Sequence, residues 1–168
     1  MHKSGSTTKT SGGTYKCAKN PLVTNSKLTW LSLDCVTAAT DAVKAEKSAI
    51  TTAANFKAQL PVIELGITTE TANKAEIQVK LDAATLRLTA AQAKLAAAKT
   101  DADKRLLTTA VSSWTSATRA YASKIRNIDL TIKKLEAAKL AATNKPAELA
   151  SNVTNARDSA KLICTKGF

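Results

Sequence analysis

From Leu107 onward a core-type residue returns at every seventh position: Leu107, Trp114, Tyr121, Ile128, Leu135 and Ala142. A second row, Val111, Thr118, Ile125 and Ile132, stands four residues after each of the first four. Alternating steps of four and three keep a narrow apolar line on one side of a helix, because their mean of 3.5 is close to the helical turn. No Gly or Pro interrupts the run, and at about 1.5 Å per residue it extends on the order of 50 Å. A stripe of that length needs other helices beside it. The core seam expected here is Leu107, Val111, Trp114, Tyr121, Ile125, Ile128, Ile132 and Leu135, and it carries architecture, not chemistry.

Three further segments share this spacing. The first helix is expected to start between Ser26 and Asp34 and to end at Leu60, before Pro61. Its stripe is Val36, Val43 and Ile50, flanked by Ala39, Ala42, Ala49, Ala53 and Phe56, with Trp30, Leu31 and Leu33 leading in. Residues 61–69 read as a connection, with Gly66 its most flexible point and Val62, Ile63, Leu65 and Ile67 packed over one end of a bundle. A second helix runs from about Glu70 to Lys99 on Ile77, Leu81, Ala84, Leu88, Ala91, Leu95 and Ala98. Thr100, followed by Asp101 and Asp103, suits a fresh helix N-terminus, although one continuous helix over 70–143 is the alternative. The third helix, about 103–143, stops at Asn144-Lys145-Pro146. A fourth carries Leu149, Val153, Ala156, Ala160 and Ile163 and ends at Lys166-Gly167.

These elements predict an all-α fold: an elongated antiparallel bundle of three to four helices, built around a long helical hairpin, with a flexible N-terminal tail. Residues 1–27 form the basic tail or linker and 28–168 a single helical-bundle domain. Residues 1–14 read as a flexible tail, or as an artificial segment standing where a leader or membrane anchor was removed. Asn20-Pro21 marks a turn. No apolar run is long enough to cross a bilayer.

Composition sharpens the picture. The hydrophobic fraction of 44% is ordinary, but alanine supplies much of it and aromatics make only 4%. An alanine-lined core buries little area per residue, so helices must approach closely. The formal charge is +12, and residues 1–33 hold five lysines and no acid. Elsewhere the signs are interspersed, as on solvated faces. Along the third helix Lys104, Arg105, Arg119, Lys124, Arg126, Lys133, Lys134 and Lys139 outnumber the acids. On a helical wheel they spread around the face opposite the seam.

Three cysteines, Cys17, Cys35 and Cys164, are brought to one end of such a bundle. A disulfide is expected among them, as Cys35–Cys164, Cys17–Cys164 or Cys17–Cys35; it would join distant parts of the chain and point to an oxidising compartment. Buried reduced thiols are the alternative. The single histidine, His2, lies in the tail, so no His-based triad or His-ligated metal site is expected. The five glycines make neither a phosphate loop nor a dinucleotide fingerprint. No catalytic, cofactor or metal residues emerge, and no small-molecule substrate. Trp114 and Tyr121 could stack on bases beside Arg119, Lys124 and Arg126, but their register with Leu107 and Ile128 marks them as core.

The sequence therefore predicts a non-enzymatic structural or interaction protein of the cell envelope or exterior (periplasm, surface or secreted). A pilus-like surface appendage or a secretion assembly would suit it, working through a protein partner or self-assembly, with an anchor removed from the N-terminus. The alternative is a basic protein binding nucleic acid without reading sequence. A bundle that opens on anionic membranes comes third, since its alanine-dominated stripes are weakly apolar.

Overall fold

The computed structural model describes residues 3–165, about 80% of the chain being helical. Three short strands, β1 (Thr7–Thr10), β2 (Gly13–Ala18) and β3 (Thr29–Ser32), precede two long helices, α1 (Leu33–Ala97) and α2 (Asp101–Thr165). The helices are packed against each other as a hairpin. The chain forms two compact units: Met1–Gln59 with Ala141–Phe168, and Leu60–Leu140. His2 and the Lys166-Gly167 helix end lie outside the described residues.

Among the described residues two helices replace the three to four expected, and the reason lies in heptad phase. The half-buried and buried positions of α1 include Cys35, Ala39, Ala42, Glu46, Ala49, Ala53, Phe56, Leu60, Ile63 and Ile67, and the same steps of four and three continue through Glu70, Lys74, Ile77 and on to Ala98. Residues 61–69 are therefore helix, not a connection. Pro61 removes one N–H, which costs about 3 kcal/mol in a helix interior. Continuity keeps Leu60, Ile63 and Ile67 on the sheltered line, each worth on the order of 1 kcal/mol when half-buried. On α2 the line of Leu107 to Ala142 continues in the same phase through Pro146, Leu149, Val153, Ala156 and Ala160. The expected stop at Asn144-Lys145-Pro146 is absent.

The break between the two helices falls where expected. Thr100 Oγ1 accepts from the Asp103 N–H at 3.1 Å and donates to the Asp103 carboxylate at 2.6 Å, capping α2. The single helix over 70–143 is thereby excluded. At the start of α1, Ser32 Oγ accepts from the Cys35 N–H at 3.2 Å, and Asp34 sits in the first turn. The many helical threonines satisfy their hydroxyls locally: Thr40, Thr71, Thr85 and Thr108, among others, donate to the carbonyl four residues back.

The unit of residues 1–59 and 141–168 holds the sheet, which corrects the all-α expectation and the reading of the first 27 residues as tail. β1 pairs antiparallel with β2, Thr10 opposite Gly13, and β2 pairs with β3, Cys17 opposite Trp30. Ser11-Gly12 makes the two-residue turn, and Gly13 follows at φ +136°, a conformation that favours glycine. The strands form from threonine-rich sequence: β-branched side chains favour extended backbone even without an apolar face. The Asn20 side chain accepts from the Leu22 N–H at 2.9 Å, turning the chain between β2 and β3.

Among the described residues no large apolar side chain is completely buried. The buried set is Ala39, Ala42, Ala49, Ala142, Ala160, Cys17, Cys35 and Leu31 in this unit, and Ala84 and Ala91 in the other. Two helices side by side share one contact line, where only a small side chain loses all its water. The stripe expected at Val36, Val43 and Ile50 is thus displaced by one residue: Ala42 and Ala49 are buried, whereas Ile50 is 65% exposed. Alanine permits the close approach that valine and isoleucine would prevent.

Candidate functional site

Every member of the expected α2 seam, Leu107, Val111, Trp114, Tyr121, Ile125, Ile128, Ile132 and Leu135, is half-buried. In the unit of residues 60–140 they belong to one antiparallel register, marked by Glu64–Lys139 at 2.8 Å and Lys74–Asp129 at 2.6 Å. These pairs are about half exposed, so each contributes about 1 kcal/mol or less. Leu135 closes on Gly66, where an added Cβ would meet its methyl at 3.3 Å. Arg87 lies over the Trp114 ring, 4.9 Å from its centroid. That contact covers one face of the indole with a cation, an arrangement worth about 0.5–1 kcal/mol where exposed.

Of the three cysteines, Cys35 and Cys164 form a disulfide across 129 residues, tying the first turn of α1 to the end of α2. Cys17 is free and buried at the β2–β3 pairing. Its N–H donates to the Ser6 carbonyl at 2.8 Å and its carbonyl accepts from Gly5 N–H at 2.9 Å. The sequence left three pairings open; β-ladder burial of Cys17 and the antiparallel helices choose one. In the same unit Arg157 pairs with Glu46 at 2.6 Å. An open groove beside that pair is lined by Ala49, Ile50, Ala53, Leu149 and Val153. It is apolar and carries no convergent polar groups beyond Glu46.

Among the described residues no cluster of three His, Cys, Asp or Glu side chains is placed to hold a metal, and no helix is long and apolar enough to cross a membrane. One titration stands out: the Lys80 ammonium hydrogen-bonds Glu76 and holds its carboxyl below the usual carboxylate range, while Glu76 pushes the Lys80 ammonium up. Both side chains are exposed, so this is surface chemistry.

Two features escaped the reading of the sequence. On α2, Arg105, Arg119, Arg126 and Lys133 stand at multiples of seven, with Lys134 in the adjoining column, and all are exposed. Over residues 105–134 neither column contains an acid, and among the described residues none of the five cations forms an ion pair. The cations are thus not evenly spread. On α1 the outward side of residues 62–97 carries exposed Val62, Leu65, Val79 and Leu86. Their signal in the sequence was a second four-and-three spacing, masked while residues 61–69 read as a connection.

Comparison of the chain with protein-family models, curated proteins and solved structures finds no match.

Proposed function

We propose that this protein is a non-enzymatic structural or interaction component of the cell envelope or exterior, of the kind found in a pilus-like appendage or a secretion assembly. The observation that carries this reading is the Cys35–Cys164 disulfide. A disulfide persists in oxidising compartments and is kept reduced in most cytosols. The helical hairpin supports the reading too: it exposes two long faces. Intact mass after alkylation in denaturant tests it. One alkylated cysteine without reductant and three with reductant are expected from protein isolated under thiol-trapping conditions; three without reductant would sink the extracytoplasmic reading.

A second reading, binding of nucleic acid without sequence preference, is favoured by Arg105, Arg119, Arg126, Lys133 and Lys134, whose two columns hold no acid over residues 105–134. Phosphate contacts by such residues weaken steeply with salt. Fluorescence anisotropy with duplex DNA decides it: binding at 50 mM salt that is lost in the Arg119→Glu, Arg126→Glu, Lys133→Glu variant supports this reading. No binding at that salt removes it.

A further inference from the structure

The outward side of α1 changes character along its length. Over residues 34–58 the positions turned away from α2 are Asp34, Thr37, Asp41, Lys44, Ser48, Thr51, Asn55 and Ala58, as a solvated face requires. From residue 62 the same positions become Val62, Leu65, Thr69, Ala72, Glu76, Val79, Ala83, Leu86, Ala90, Ala93 and Ala97, all exposed. They lie about 160° around the helix from the hairpin seam at about 100° per residue. Val62, Leu65, Val79 and Leu86 are 67–73% exposed. A helix apolar on two opposite sides is an inner helix of a larger assembly. The corresponding positions of α2 are mostly Ser, Thr, Asn and Ala, so the feature belongs to α1 alone.

Periodicity and charge say what covers this stripe. A strict seven-residue repeat drifts about 20° per heptad from a straight helix, so over five heptads the stripe winds by about 100°. A flat lipid surface cannot follow that winding; a helix wound around α1 can. One flank of the stripe carries Lys80, Arg87 and Lys94, and the other Thr68, Ala75, Asp82, Thr89 and Ala96. In an antiparallel pair of α1 helices the cationic flank would face itself. In a parallel pair each flank faces the other, and the five-residue offset of such pairing sets Asp82 against Arg87 of the second copy, twice by symmetry.

We infer that two copies of this chain associate through residues 62–97 of α1, side by side and parallel, with Val79 and Leu86 at the centre of the contact. This deepens the interaction-protein reading and rests on it. Four large and five small apolar side chains per copy are of the order of the roughly 800 Å² per partner in a standard interface. Glu76 is the one charge within the stripe and would face its own copy, setting register at a cost in affinity.

Sedimentation velocity on the oxidised full-length chain, from micromolar to several hundred micromolar, tests this. A monomer–dimer equilibrium is expected. Because the altered positions are exposed, Val79→Glu with Leu86→Glu leaves far-UV circular dichroism unchanged and abolishes dimer. Glu76→Val tightens dimerisation at least tenfold, and Asp82→Lys weakens it at least fivefold. A wild type monomeric throughout overturns the inference, as does a dimer that survives the double variant. Capture of the wild type by anionic vesicles, lost in that variant and without dimer in solution, also overturns it in favour of a lipid surface. None of these outcomes alters the thiol count, so the compartment reading stands or falls separately.

Discussion

At the scale of single residues, stability rests on alanine. Ala84 is 2% exposed on the contact line, and a leucine there has no room. Ala84→Leu is expected to destabilise by about 1–3 kcal/mol in urea unfolding, against less than about 0.5 kcal/mol for Ala54→Leu at an exposed position. The caps act similarly: Ser32→Ala leaves the Cys35 N–H without its acceptor and is expected to cost about 1 kcal/mol. At Glu76 the folded-state pKa is depressed, so whatever the Lys80 pair contributes is present at neutral pH and is lost as pH falls through that lowered value. Carbon-detected NMR titration should place the Glu76 carboxyl below an ordinary glutamate, and Lys80→Ala should return it to the ordinary range.

At the scale of elements, the two helical prolines, Pro61 and Pro146, are the instructive case. Each looked like a boundary because proline lacks the N–H and crowds the preceding turn. Phase contradicts that reading: Leu60, Ile63 and Ile67 prolong the line of Ala39 to Phe56, and Leu149 stands seven residues after Ala142. A true loop has no reason to preserve a seven-residue count. Restoring the missing hydrogen bond with Pro61→Ala is therefore expected to stabilise the chain, by about 1 kcal/mol or more after the gain in unfolded-chain entropy is subtracted, and to raise the thermal midpoint. A fall in the midpoint would mean that the helix needs its proline. The Thr100 cap was legible because it is local chemistry, a hydroxyl and a carboxylate three residues apart. The strands were not: Thr7 to Thr10 offers β-branching without apolar alternation, so hydrophobic patterning has nothing to register there.

At the scale of the whole molecule, the Cys35–Cys164 bond closes a loop of about 130 residues. Restricting the unfolded chain by such a loop is worth roughly 3–5 kcal/mol in the entropy model. Replacing both cysteines by serine is expected to lower stability by that amount, measured by urea unfolding under non-reducing conditions. An unchanged midpoint would show that the bond adds nothing to the hairpin. Cys17→Ser leaves the disulfide in place but puts a hydroxyl at a buried position, and a smaller loss is expected from it.

What the sequence determined by itself is periodic or local: a mostly helical chain, a seam on α2 from Leu107 to Leu135, a capped break at Thr100, and the neighbourhood shared by the first helix start and the last helix end. Seven-residue spacing and capping need only a few adjacent residues to be read. Tertiary structure decided the rest, because the rest depends on what stands across the gap. The Ala42 and Val43 columns are both plausible seams until the distance to α2 favours the smaller side chain. Cys164 chooses Cys35 because an antiparallel partner brings the first turn of α1 beside it. The outer stripe of α1 is visible as a surface only once α2 has taken the opposite side.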